Sequence, residues 1–139
     1  IFGQDEETLE AIISNSLRSN HLKLGLVEFG IEGILKQRLE LGQPPKFQTW
    51  TLSEGPQALE DFQRQIMDHF EKNQCDVLFG VALLVDQKAT AHFVYQDKFT
   101  KIGTTRMYGG PQASAQRWAI NSGLDYLRRN LSANFGDGK

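Results

Sequence analysis

Apolar positions recur along the chain at two spacings, and each spacing predicts an element. Leu9, Ile12, Ile13 and Leu17 share one face of a first helix, with Asp5 as its N-cap and Glu6 and Glu7 at the positive end of its dipole. Leu22, Leu24 and Leu26 then alternate with His21, Lys23 and Gly25, the period of a strand that runs on into Val27. A second helix is predicted at about Ile31 to Leu41 on a stripe of Ile31, Ile34, Leu35 and Leu39, ended by Gly42, Pro44 and Pro45. A short extended piece at Phe47 to Leu52 follows. The next helix has Pro56 near its start and carries Leu59, Phe62, Ile66, Met67 and Phe70.

Val77 to Val85 is a continuous apolar run with β-branched content, which reads as a central strand covered on both faces. Ala89 to Tyr108 suggests two antiparallel strands turning near Gln96-Asp97-Lys98. Gly109-Gly110-Pro111 breaks the chain before a last helix that extends to about Leu131 along Ala115, Trp118, Ala119, Ser122, Tyr126 and Leu127, broadened by Ile120 and Leu124. Residues 133–139 read as a disordered tail. This order of elements implies an α/β layered domain and not a barrel.

Composition narrows the function classes. At 139 residues the chain is one domain, 1–139, and folding should bury roughly 68% of the surface the unfolded chain exposes. Fifteen Lys and Arg against seventeen Asp and Glu give a net charge of −2, which argues against a nucleic-acid partner. The longest apolar stretch falls far short of the ~20 residues of a membrane span. Cys75 is the single cysteine, so no intramolecular disulfide is available and a cytoplasmic location is expected. It sits just before the central strand without a basic cluster to lower its pKa, as a buried structural thiol would.

His21, His69 and His92 lie on different elements at spacings that match no metal motif, so neither metal nor cofactor is expected. No Gly-x-Ser-x-Gly elbow, phosphate loop or paired-cysteine zinc signature occurs. Trp50 and Trp118 read as packing residues, and Lys98, Lys101 and Arg106 as a solvated edge. The segment Leu24 to Leu35 is more informative. A buried strand there passes through a glycine-bearing turn into a helix, a scaffold that can hold an anion or oxyanion. The junction carries Phe29, Gly30 and Ile31, none of them nucleophilic, and Glu32 would repel a phosphate.

Several of these residues resemble a known family. Leu22 to Leu35, with Glu28 and Gly33 in place, and Arg106-Met107-Tyr108-Gly109-Gly110 followed by a helix through Arg117, Ala119 and Leu124 to Arg129 resemble the C-terminal domain of the competence/damage-inducible protein CinA, the nicotinamide-mononucleotide deamidase family. The likeness covers nearly the whole chain and implies a three-layer α/β/α sandwich with a mixed sheet. Residues 1–8 look like the junction from an upstream CinA N-terminal domain, so the chain is expected to be a fragment of a longer one.

The departures concern the chemistry. The family motif reads Ala-Glu-Ser-Cys-Thr-Gly-Gly, and its Ser is the nucleophile; here Val27-Glu28-Phe29-Gly30-Ile31-Glu32-Gly33 puts Phe29 in that place. The family's activating Tyr and Lys have no counterparts between Phe47 and Leu59, and its glycine-rich loop after the central strand is replaced by Ala82 to Lys88. The expectation is a degenerate member with a vestigial site at Glu28, Phe29, Gly30, Ile31, Glu32 and Gly33, acting as a structural, ligand-binding or subunit-contact module. Its broad last helix and hairpin edge would serve self-association, a homo-oligomer being the expected assembly. The alternative is an amidohydrolase with a relocated nucleophile at Thr49, Thr51 or Ser53.

Overall fold

A computed structural model describes residues 8–135. Its strands are β1 (Leu24–Phe29), β2 (Gln48–Thr51), β3 (Val77–Val85), β4 (Ala89–Asp97) and β5 (Lys101–Tyr108). Its helices are α1 (Leu9–Ser19), α2 (Ile34–Glu40), α3 (Leu59–Asn73) and α4 (Ala115–Phe135). One five-stranded sheet forms in the order β2-β1-β3-β4-β5. β1 is parallel to both of its neighbours, whereas β3, β4 and β5 form an antiparallel meander.

The crossovers explain the layers. The chain moves from β1 outward to β2, then back across β1 to β3, and right-handed connections in opposite directions put their helices on opposite faces. Leu35 and Leu39 of α2 accordingly pack with Ile13, Leu17, Leu124 and Leu127 against Leu24, Leu26, Phe79, Val81, Phe93 and Tyr95. Phe62 and Ile66 of α3 pack against Val27, Leu78, Ala82 and Val94 on the other side. This is the three-layer α/β/α sandwich with a mixed sheet that the family resemblance implied.

Within β1 the leucine–glycine alternation marks side-chain size, since both of its faces are buried. Gly25 faces the α3 layer, where a Cβ would stand 2.7–2.8 Å from Leu78, Cys75 and Trp50 side-chain atoms. The β4–β5 turn is tied by Asp97, whose Oδ1 accepts the Phe99 and Thr100 backbone N–H groups at 2.7 Å. Its Oδ2 accepts the Tyr95 hydroxyl at 2.5 Å. Arg38 of α2 reaches buried Glu10 of α1 at 3.2 Å and Asn121 of α4 at 2.9 Å, linking three helices.

Three boundaries differ from the expectation. Thr8, and not Asp5, caps α1: its Oγ1 accepts the Ala11 N–H at 3.1 Å, while Asp5, Glu6 and Glu7 lie outside the described residues. α2 starts at Ile34 instead of Ile31, because Gly30, Glu32 and Gly33 all have left-handed backbones. α4 continues to Phe135, so residues 133–135 are helical and not a disordered tail; residues 136–139 lie outside the described part. Thr100 donates to Asn134 at 3.2 Å and holds that last turn to the hairpin. Among the described residues no helix is long and apolar enough to cross a membrane.

Candidate functional site

Parallel strands β2, β1 and β3 end on the same side of the sheet, where open α/β sheets commonly hold ligands. The segment Glu28 to Gly33 lies at this end. Phe29 closes β1 with its side chain toward the α3 layer, packed with Trp50, Leu52 and Leu59 around the buried core of that face. A Cβ on Gly55 would stand 2.9 Å from the Phe29 ring and 3.1 Å from Leu84, so the ring rests directly on the backbone that follows β2.

Gly30 leaves the strand at φ 80°, and a Cβ there would be driven into the Leu83 carbonyl group, 3.2 Å from its carbon. Ile31 is completely buried beside Leu35. Glu32 has φ 54° and Gly33 φ 77°, which turns the chain sharply into α2. Gln116 in the first turn of α4 donates to the Glu32 carboxylate at 2.8 Å and to the Gly30 carbonyl at 3.3 Å. The loop is thus packed from below by Leu83 and fastened from the side by Gln116.

Glu28 points to the opposite face, under the start of α2. Only 2% of it is exposed, and its Oε1 accepts no hydrogen bond. Burial raises its pKa; the backbone amides of Lys36 and Gly33 and the Lys36 charge oppose that shift. Thr51 is its in-register neighbour on β2, while Thr49 stands beside Leu26 and Ser53 is exposed beyond the strand. Of the three candidate hydroxyls, Thr51 is therefore the one placed next to an acid–base group.

The histidines are dispersed. His92 shares a cross-strand row with Phe29, Ala82 and Thr105, and its Nδ1 lies 2.8 Å from Thr105 Oγ1. This hydroxyl–imidazole pair bridges β4 and β5, two strands away from β1, and burial lowers the imidazole pKa. His69 lies against Trp50, ring centroids 5.2 Å apart, with its pKa lowered chiefly by burial. Cys75 is buried, and desolvation raises its thiol pKa, with Asp76 adding to the shift and Lys23 opposing it. Trp118 packs on Tyr108, centroids 4.9 Å apart. Among the described residues no three His, Cys, Asp or Glu side chains converge to hold a metal.

Two open depressions among the described residues lie away from this loop. One of about 340 Å³ at the amino ends of the parallel strands is lined by Lys23, Lys46 and Cys75. Another of about 460 Å³ is lined by Lys88, Tyr108 and Gly110, and neither includes any of residues 28–33. Sequence reasoning identified the junction but missed Gly55 and Gln116. No local motif marks either one, since each acts only through a contact made by tertiary packing.

No protein-family model matches the chain, and no curated protein matches it in sequence. Solved structures do match. A competence-damaged protein (CinA) superfamily protein from Klebsiella pneumoniae 700603 superposes with a TM-score of 0.72 at 11% identity, covering 91% of this chain and 99% of that one. A competence or damage-inducible protein from Enterobacter asburiae gives 0.69 at 15% identity, over 91% and 100% of the two chains. A CinA superfamily protein from Escherichia coli gives 0.70 at 14% identity, over 93% and 94%. The chain therefore has the fold of the CinA superfamily, as its sequence resemblance implied.

Proposed function

We propose that the chain is a catalytically inactive CinA-type domain, retained as a structural or subunit-contact module. The observation that carries this reading is the Phe29 ring, which occupies the carboxyl end of β1 against Gly55 where the resembled family has its serine. Hydrolysis of an amide needs a nucleophile beside a base and donors aimed at the developing oxyanion. At this junction the side chains are aromatic, aliphatic or carboxylate, and Gln116 holds the loop. A second copy of the domain is its partner in this reading.

One observation favours the alternative, an amidohydrolase with a relocated nucleophile: Thr51 on β2 is in register with Glu28, whose carboxyl is buried. Ammonia release from nicotinamide mononucleotide separates the two. The inactive domain releases none above the enzyme-free control. Release that disappears in both Thr51→Ala and Glu28→Gln, with folding intact, would establish the alternative and remove the first reading.

A further inference from the structure

Natural sheets guard their edges by shortness, proline, bulges or outward charge. β2 has only four residues. β5, at the opposite edge, has eight; it is free of proline and pairs with β4 in unbroken register from Ala89↔Tyr108 to Gln96↔Lys101. Its charges are drawn off the rim. The Arg106 guanidinium lies over the Phe93 and Tyr126 rings, 5.6 and 5.9 Å from their centroids, and the Lys101 ammonium meets Met67 Sδ at 3.4 Å. Ile102 and Met107 remain 41% and 65% exposed.

The hydrogen-bond phase of this edge follows from the turn. Asp97 donates its N–H to the Thr100 carbonyl at 2.9 Å. Residues in step with Asp97 (Tyr95, Phe93 and Ala91) therefore exchange backbone bonds with Ile102, Thr104 and Arg106. By the same alternation, the N–H and C=O groups of Lys101, Gly103, Thr105 and Met107 point away from the sheet.

We propose that β5 pairs antiparallel with β5 of a second copy about a two-fold axis at Thr104, joining the two sheets into one. This rests on the subunit-contact reading and names its surface. In this register Lys101 exchanges backbone bonds with Met107 of the partner subunit, and Gly103 with Thr105 of the partner subunit, so every outward group from Lys101 to Met107 is used. Opposed residues share a face: Lys101 with Met107 on the α3 side, and Ile102 with Arg106 on the α4 side. Each exposed apolar side chain meets the aliphatic stem of a basic residue, and no charge stands directly opposite a like charge. The strand is complementary to itself, which selects a second copy over an unrelated strand.

Sedimentation equilibrium of the full chain over a wide concentration range tests the pairing, with a reversible monomer–dimer equilibrium expected. Met107→Lys sets a like charge opposite Lys101 at two symmetric positions and should weaken dimerisation about threefold to tenfold, with melting unchanged at concentrations low enough that both proteins are monomeric. Adding Lys101→Glu converts both contacts to opposite charges and should restore it. A monomer at every concentration, a dimer indifferent to Met107→Lys, or a loss that Lys101→Glu does not rescue would each overturn the pairing. A monomer that also releases no ammonia removes this surface and leaves the inactive-domain reading standing; a dimer that does release ammonia does the reverse.

Discussion

Adding one methyl group at each of two neighbouring glycines tests how tightly the end of β1 is closed. Gly30 and Gly33 both have left-handed backbones, φ 80° and 77°, so alanine strains either one by roughly 1–2 kcal/mol. Their surroundings differ. A Cβ on Gly33 meets nothing within 4 Å, whereas one on Gly30 meets the Leu83 carbonyl carbon at 3.2 Å and the Leu83 Cβ at 3.5 Å. The carbonyl cannot swing aside as a flexible side chain could, because Leu83 lies within the β3–β4 ladder. Overpacking of this kind typically costs a further ~1–3 kcal/mol. Gly33→Ala should therefore lose about 1–2 kcal/mol and Gly30→Ala about 2–5 kcal/mol. Urea unfolding reads both as shifts in midpoint at constant slope. Equal losses for the two variants would mean that Gly30 has room, and the closed junction would be wrong.

Other perturbations reach different parts of the account. Burial holds the Glu28 carboxyl pKa above its ordinary value of 4.5, so its contribution to stability is complete below that pH and is lost as pH rises through the folded value. Glu28→Gln should match the parent below pH 4.5 and exceed its stability at neutral pH; parallel stability–pH curves would contradict this. Asp97→Ala strands the Phe99 and Thr100 N–H groups and leaves the Tyr95 hydroxyl with Asn134 alone, at a cost of about 3 kcal/mol in urea unfolding, with Asp97→Asn recovering part. Arg38→Ala leaves Glu10 buried without its cation. Because 29% of the Arg38 side chain is exposed and screened, the expected loss is about 2 kcal/mol, below that of a fully buried pair. Phe29→Ser should cost about 2 kcal/mol through lost packing and, on the inactive-domain reading, still release no ammonia from nicotinamide mononucleotide.

The fold was legible wherever periodicity reports burial. The apolar run Val77–Val85 and the stripes of α3 and α4 lead directly to the central strand and the helices on either side of it. Legibility failed where tertiary contact overrides local pattern. Ile31 fits the helical stripe of α2 but lies in the loop before it, because the left-handed turns at Gly30, Glu32 and Gly33 precede the first helical residue. Asn134 looks like a fraying end, yet hydrogen bonds to Asn130 and Thr100 keep it in α4. At the junction, the aromatic side chain that ends β1 could be read directly from Phe29. The way it is packed could not, since Gly55, Leu83 and Gln116 lie up to 86 residues away in sequence and meet it only through the fold.

An NMR titration with nicotinamide mononucleotide, following the backbone amides of Gly30 to Gly33 and the side-chain amide of Gln116, tests the closed junction most directly. A packed, inert end of β1 predicts that these resonances stay in place up to millimolar nucleotide. Saturable shifts confined to those amides, with the Gln116 side chain released, would contradict it.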